Sequence, residues 1–149
     1  MGFFSNLKNA ITGGAAQVQI QIPQVAQRGQ TITVNISATA KGAGNVKQVY
    51  LQIRATETAS FDHTFTLNGQ SKTERVSGSK VTYEQKVVVA PAFQLAEGQS
   101  YTFQGQLPLP PTTNPSFHGQ IVHHTWEVLA GFDMTGNDPD SGWQQLTVQ

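Results

Sequence analysis

The chain has 149 residues, no formal net charge and only 12% charged residues, about half the usual share of roughly 25%. That length fits one domain with its own hydrophobic core. The neutral balance excludes a general electrostatic attraction to nucleic acid or to an anionic membrane. The absence of cysteine excludes disulfides, thiolate catalysis and thiolate metal sites.

The N-terminus does not have the pattern of a secretory signal peptide, because it lacks a basic segment followed by a continuous apolar run. No apolar run reaches the roughly 18 residues that a membrane-spanning helix needs. The lack of cysteine leans towards an intracellular location, where disulfides are rare. We therefore expect a cytoplasmic protein without an integral membrane segment.

Residues 1–14 are predicted to form a short N-terminal helical segment. Three apolar side chains fall at helical spacing and share one face: Phe4, Leu7 and Ile11. Gly13 and Gly14 end the pattern. The segment is expected to cover one edge or end of the domain. The alternative is a docking helix for a partner, with three contact residues: Phe3, Phe4 and Leu7.

From residue 15 onward, apolar and polar residues alternate, which is typical of half-buried strands. The two clearest runs have these apolar positions: Val18, Ile20 and Ile22, then Ile32, Val34, Ile36, Ala38 and Ala40. A longer strand is predicted over residues 48–56, and a shorter one over 61–67 that Asn68-Gly69 closes as a hairpin. The polar residues 70–80 are expected to be a loop or a ragged edge before another strand over 81–89.

A strand over residues 101–107 is followed by a loop in which prolines dominate. The segment Pro108–Pro115 cannot join a ladder, since proline lacks the amide donor, and should run as an extended loop. The longest strand follows, over residues 121–134. One of its faces is apolar: Val122, His124, Trp126, Val128, Ala130, Phe132 and Met134.

A final strand, with Leu146 and Val148 pointing inward, brings the total to about eight strands. No long helical period separates them, so antiparallel pairing is expected, since parallel strands need crossover connections. The predicted fold class is therefore all-β, an immunoglobulin-like antiparallel β-sandwich over residues 15–149 that follows the short N-terminal helix.

Four short passages, spread along most of the chain, carry a family resemblance. In chain order they are Met1-Gly2-Phe3-Phe4 with Lys8 and Gly13-Gly14-Ala15; Phe103, Leu107-Pro108 and Pro115-Ser116-Phe117; Ile121, Trp126-Glu127-Val128, Ala130 and Asp133; and Asp138-Pro139. They resemble, in that order, four parts of the bacterial sporulation-control proteins, which have an arrestin-like fold. Those parts are the helix before the first strand, the Leu-Pro and Pro-Ser passage, the next strand and the end of the N-terminal domain.

The resemblance implies a non-enzymatic binding module that acts through protein contacts. Members of that family commonly carry a second domain and are often acidic, whereas one domain is expected in this sequence, which is neutral. The basic residues with which animal arrestins read phosphate have no counterpart cluster here. The resemblance therefore does not extend to phosphoprotein sensing.

The histidines favour a structural role over a metal or catalytic site. His123 and His124 are neighbours on one strand, so they point to opposite faces and cannot chelate one ion together. His118 lies in the preceding loop. We expect His124 to close the inner face near one end of the sandwich, with a backbone partner. The alternative is a metal site in which His63, on a different strand, converges with His124.

The turn over residues 136–142 is rich in the oxygen ligands that calcium prefers. Together with the end of the preceding strand it offers four candidate ligands: Asp133, Asn137, Asp138 and Asp140. The spacing does not match an EF-hand loop, and Asp-Pro is common in ordinary turns. No cofactor and no other metal is predicted.

The two tryptophans are expected to differ. Trp126 shares the apolar face of its strand, which favours core packing over a stacking site. Trp143 follows a turn and is the better candidate for a partner contact. The sequence contains no nucleophile elbow, no phosphate-binding loop and no distinctive pair of carboxylates, so we do not expect an enzyme.

The sequence therefore predicts a non-enzymatic protein-interaction or scaffold module whose partner, including another copy of the chain, binds at edge strands or loops. The low charge is expected to leave the edges with few of the Lys and Glu residues that discourage strand addition. The alternative is a carbohydrate-binding or calcium-dependent adhesive β-sandwich, suggested by the Gln/Thr/Asn-rich surface, the two tryptophans and the Asp-rich turn.

Overall fold

A computed structural model describes residues 14–149. The predicted N-terminal helix, with Phe3, Phe4 and Leu7, lies outside the described residues. Within them the chain is all-β, with ten strands: β1 (Ala16–Gln21), β2 (Val25–Ala26), β3 (Thr31–Ala40), β4 (Gly44–Leu67), β5 (Gln70–Ala90), β6 (Phe93–Leu95), β7 (Ser100–Pro108), β8 (Phe117–His118), β9 (Val122–Met134) and β10 (Gln144–Val148). No helix between residues 14 and 149 is long and apolar enough to cross a membrane.

The strands form a small sheet and a large sheet, which confirms the predicted sandwich. The small sheet has the order β1-β3-β7, and the large sheet has the order β2-β10-β9-β4-β5, with β6 paired to β4 and β8 to β9. One pair, β2 with β10, is parallel, so the purely antiparallel prediction is wrong there. A parallel pair needs a long connection, and these two strands have almost the whole domain between them.

The core lies between the two sheets and follows the predicted alternation. In β3 every second residue from Ile32 to Ala40 is buried and the residues between them are exposed. The large sheet contributes fully buried side chains from its two central strands: Val49, Leu51, Ile53 and Ala55 from β4, and Trp126, Val128 and Phe132 from β9. Burial of each large apolar side chain stabilises the fold by roughly 1.5–3 kcal/mol.

The β4–β5 hairpin departs most from the sequence prediction. The strands predicted over residues 48–56 and 61–67 are one continuous strand, and residues 70–80 belong to β5. The predicted hairpin at Asn68-Gly69 is confirmed: both residues have positive φ, 52° and 75°, as a tight two-residue turn requires. The prediction of a loop over residues 70–80 is wrong, because these residues pair with β4 across the turn. Their polar sequence does not indicate this pairing.

β5 is an edge strand of the large sheet, and it carries many charged residues. They are Lys72, Glu74, Arg75, Lys80, Glu84 and Lys86. The expectation that the edges lack such residues is therefore wrong for β5. It holds for the edges of the small sheet, because β1 and β7 contain no charged residue.

The proline-rich segment leaves the ladder from residue 109 onward, as predicted, although Pro108 itself ends β7 opposite Thr31. Two buried side chains of β9 hold this loop against the sandwich. Trp126 Nε1 donates to the carbonyl oxygen of Asn114 at 3.0 Å, and His124 Nδ1 donates to that of Pro115 at 2.8 Å.

Candidate docking surface

The hairpin β4–β5 extends beyond the rest of the large sheet. β9 pairs with β4 only as far as Ala59, which lies opposite Val122. Residues 61–76 therefore form a two-stranded ribbon, from the pair Phe61–Val76 to the pair Leu67–Gln70, which we call the arm. At about 3.3 Å per residue the arm is roughly 20 Å long. A two-stranded hairpin by itself is marginally stable in water, so contacts on its faces decide whether it stays ordered.

One face of the arm carries all of the arm's large apolar side chains, and we call it the apolar face. It consists of Phe61, His63, Phe65 and Leu67 from β4 and Gln70, Lys72, Glu74 and Val76 from β5. By alternation it continues the face of β4 that carries Leu51, Ile53 and Ala55 in the core. Outside the sandwich three of its apolar side chains are exposed: Phe61 and Val76 are each 39% exposed and Leu67 is 48% exposed, while Phe65 is half-buried.

The opposite face of the arm is polar. It consists of Asp62, Thr64, Thr66, Ser71, Thr73 and Arg75. Asp62 and Arg75 form an ion pair at 3.0 Å, and the hydroxyls of Thr64 and Thr73 are hydrogen-bonded at 3.1 Å. The arm is therefore amphipathic, as is usual for strands that are covered on one face and solvated on the other.

Further exposed apolar side chains surround the base of the arm. Phe117 is 42% exposed and Ile121 is 47% exposed, and the Ile121 carbonyl oxygen accepts a hydrogen bond from the Ser60 amide. Phe117 pairs opposite His124, so it lies on the same side of the sheet as the apolar face. Exposed apolar patches of this kind mark interaction surfaces.

A shallow cleft lies beside this base, with a volume of about 240 Å³. Pockets that hold small ligands typically have about 300–1,000 Å³. The cleft is lined by Ser116, Phe117, His118, His124, Gln145, Leu146 and Thr147. Its size therefore favours contact with a macromolecular surface over enclosure of a small molecule.

His124 has a structural role, as predicted. It is 1% exposed, and its Nε2 lies 2.7 Å from Thr82 Oγ1 while its Nδ1 donates to Pro115. The ring thus connects β9, β5 and the proline-rich loop. His63 does not converge with it, because His63 lies in the arm while His124 lies opposite Glu57, six residues earlier on β4.

A contact between two histidines was not predicted from the sequence. His118 in β8 lies directly opposite His123 in β9, and their Nδ1 atoms are 3.1 Å apart. The sequence placed His118 in a loop, because a strand of two residues has no visible alternation. Among residues 14–149, no three His, Cys, Asp or Glu side chains are grouped so that they could hold a metal ion.

Two of the four calcium candidates are engaged in hydrogen bonds within the turn. Asp138 accepts from the Met134 amide at 3.0 Å and from the Tyr50 hydroxyl at 3.0 Å. Asp140 accepts from the Gly142 amide at 2.8 Å. Asn137 is exposed in the same turn. Calcium binding at Asp133, Asn137, Asp138 and Asp140 stays a prediction.

Tyr50 is the titratable group that this turn perturbs. Burial raises the pKa of its hydroxyl well above the ordinary value, and the hydrogen bond to Asp138 raises it further. The negative charges of three carboxylates act in the same direction: Asp138, Asp140 and Asp133. The neutral phenol therefore serves as a hydrogen-bond donor that fixes the turn to β4.

The tryptophans differ as expected. Trp126 is fully buried, which confirms its place in the core. Trp143 is half-buried, with the guanidinium carbon of Arg54 3.8 Å from its ring centroid. Arg54 also bonds to Glu127 at 2.9 Å. A partner contact at Trp143 stays a prediction.

A solved structure with a similar fold agrees with this architecture. The sporulation control protein Spo0M from Bacillus subtilis matches with a TM-score of 0.62 and 17% identity, over 91% of this chain and 50% of that chain. The fold of this protein is arrestin-like. The resemblance to sporulation-control proteins is thereby confirmed at the level of the fold. The chain spans half the length of Spo0M.

Other comparisons add no further argument. Two β-glucosidase structures from Listeria innocua match: a mutant with laminaribiose, with a TM-score of 0.42 and 13% identity, and the enzyme with isofagomine, with a TM-score of 0.40 and 12% identity. They cover 90% and 89% of this chain and 16% of their own length. TM-scores this low support no inference. No family model and no curated protein matches the sequence.

Proposed function

We propose that this protein is a cytoplasmic, non-enzymatic protein-interaction or scaffold module that binds its partner through the arm. The observation that carries the proposal is the exposed apolar face of the arm, which continues a core face beyond the edge of the small sheet. The exposed Phe117 and Ile121 at its base extend the same surface. The free energy gained by covering these side chains would drive association.

The arrangement of the polar groups supports a binding role over a catalytic one. His124 holds the proline-rich loop in place through Pro115, and Asp138 holds the turn in place through Met134 and Tyr50. The cleft at the base of the arm is smaller than a typical ligand pocket. An active site usually combines a pocket with perturbed acids or bases. The two tyrosines whose pKa burial raises, Tyr50 and Tyr83, donate hydrogen bonds to Asp138 and Gln85.

The charges of the apolar face restrict the kind of partner. Lys72 and Glu74 neutralise each other on this face, and the whole chain has nine basic and nine acidic residues. A strongly acidic or basic partner would gain little from such a surface. A protein with an apolar patch and few charges fits it best.

Site-specific photo-crosslinking in the cells that naturally produce the protein tests this proposal. A benzophenone-bearing amino acid replaces Leu67, on the apolar face, and in a matched control it replaces Thr66, on the polar face. Both positions are exposed, so neither change should disturb folding. We expect protein adducts from position 67 and few from position 66. Equal labelling from both positions, or none from 67, refutes the proposal.

A carbohydrate-binding or calcium-dependent adhesive module is the second candidate. The outer face of the small sheet favours it, because that face is uncharged and rich in amides and hydroxyls, with Gln104 Nε2 donating to Asn35 Oδ1 at 3.1 Å. The aromatic rings of β7, Tyr101 and Phe103, alternate with these polar residues and belong to the core side. Thermal shift assays with polysaccharides and with calcium chloride decide this candidate, since binding raises the melting temperature.

A further inference from the structure

We propose that the partner covering the apolar face is the arm of a second copy of this chain. The two arms would pack face to face, antiparallel, around a two-fold axis. This inference rests on the proposed function and names its partner. It follows from the order of residues along the apolar face, from the charges on that face and from the position of the small sheet.

The described part of the chain begins far from the arm. β1 begins beside the end of β3, because Ala16 lies opposite Ala40 and the Lys41 amide donates to the Ala15 carbonyl oxygen. This is also the end at which β4 begins, and the arm lies at its other end, about 50 Å away along the strand.

The apolar face consists of four cross-strand rows. From base to tip they are Phe61–Val76, His63–Glu74, Phe65–Lys72 and Leu67–Gln70. We place a two-fold axis in the plane of contact, parallel to the rows and midway between the second and third. It brings the first row of one copy over the fourth row of the other, and the second row over the third. The same rotation places β4 over β4 and β5 over β5. Phe61 then faces Leu67 of the second copy, and His63 faces Phe65.

The charges become complementary in this arrangement. Lys72 of each copy lies over Glu74 of the other, so that the face forms two ion pairs related by the axis. Like charges do not meet anywhere in the four rows. A self-complementary patch of this kind is what a two-fold interface requires.

The base of the arm also leaves room for the tip of the second copy. The row below Phe61–Val76 is Ala59–Gly78, and the axis places the turn Asn68-Gly69 of the second copy over it. A side chain at Gly78 would meet no atom within 4 Å in the single chain. The space above this row is therefore open to the incoming turn.

The position of the small sheet allows only an antiparallel arrangement of the two arms. It covers the core face of β4, so it rises about 10 Å on the same side as the apolar face. A parallel pair of arms would bring the two small sheets of the dimer into collision. An antiparallel pair places the two sandwiches at opposite ends, with the arms between them.

Reversal of the charges at positions 72 and 74 tests the inference. Analytical ultracentrifugation of the purified protein over a range of concentrations measures the dimer. We expect a concentration-dependent dimer, since four short rows fall at the small end of protein interfaces. Lys72→Glu and Glu74→Lys should each weaken the dimer about tenfold, because each change turns two attractive pairs into repulsive ones. Mixed in equal amounts, the two variants should dimerise again, because every pair across the axis is then opposite in charge.

Two further variants complete the test. Gly78→Thr should weaken the dimer without lowering the melting temperature of the monomer, whereas Lys41→Glu, a charge reversal at the other end of the molecule, should change nothing. A wild type that stays monomeric, or a mixture that fails to recover, overturns the inference. The proposed function fails separately, when Leu67 yields no protein adduct in cells; adducts to a different protein would overturn only the inference.

Discussion

The ring of His124 donates to the carbonyl oxygen of Pro115 at 2.8 Å, although one residue belongs to the central strand β9 and the other to an irregular loop. A carbonyl oxygen only accepts hydrogen bonds, so Nδ1 is the donor of this bond. The second ring nitrogen bonds to Thr82, across the sheet. A single buried side chain therefore fixes the proline-rich loop directly before Ser116 and Phe117, which line the cleft at the base of the arm.

Replacing this ring should destabilise the fold. His124→Phe keeps an aromatic ring but leaves the Pro115 carbonyl without its donor, and we expect the free energy of unfolding to fall by about 1–3 kcal/mol. Urea denaturation followed by circular dichroism measures it. His118→Phe, at an exposed position, is the control with an expected change of less than about 0.5 kcal/mol. Equal losses in both variants would contradict a specific role for His124.

Gly131 has no side chain because the ring of Tyr50 occupies that space. A methyl group at position 131 would collide with the Tyr50 hydroxyl and ring, and the ring cannot move away without losing Asp138. We expect Gly131→Ala to cost about 1–3 kcal/mol of stability. In a double-mutant cycle with Tyr50→Phe the two losses should not add, because the phenylalanine ring is free to shift. Strict additivity would show that the two positions are independent.

The raised pKa of Tyr50 predicts a loss of stability in alkali. The folded protein holds this proton more tightly than the unfolded chain, whose tyrosines titrate near the ordinary value of 10.0. The contribution of Tyr50 is therefore complete below that pH and is lost as the pH rises from there towards the folded pKa. The unfolding free energy should fall more steeply above pH 10 for the wild type than for Tyr50→Phe. Parallel curves would contradict the assignment.

Arg54 should shield Trp143 from solvent. Replacing Arg54 with Met removes the guanidinium over the indole ring and the ion pair with Glu127, at an expected cost of about 1 kcal/mol. In a Trp126→Phe background, Trp143 is the remaining tryptophan, and its fluorescence should become more accessible to iodide. Unchanged quenching by iodide would show that Arg54 does not cover the indole ring of Trp143.

The arm should exchange its amide hydrogens faster than the central strands. Among residues 14–149 no third strand pairs with the arm, whereas β4 and β9 pair along most of the sandwich. The arm therefore opens at a lower free energy. Hydrogen exchange with mass spectrometry at low concentration should show this contrast. At high concentration, protection of residues 61–76 should rise in the wild type and less in Lys72→Glu.

Much of the sandwich could be predicted because alternation is a local property. β3 buries every second residue, as its pattern indicates, and Asn68-Gly69 turns the chain where expected. The same rule placed Trp126 and His124 inside. The continuous strand β4 was less visible, because residues 57–60 interrupt the apolar alternation while the backbone ladder continues through them.

The docking surface was harder to predict. Phe61, Phe65 and Leu67 alternate in the same way as core residues, and the sequence contains no sign that the small sheet ends before it reaches them. The pairs Tyr50–Asp138 and His118–His123 were missed for a similar reason. Each joins residues of two strands or turns whose register only the folded chain defines.

The sequence by itself determined the strand period, the hairpin turn, the side chains that share a face and the lack of thiol chemistry, since these depend on neighbours in the chain. The tertiary structure decided which faces are covered. The small sheet shields the apolar side of β4 only within the sandwich, and the same alternating pattern is buried there and exposed in the arm. Burial depends on contacts between distant segments, and a local pattern does not contain that information.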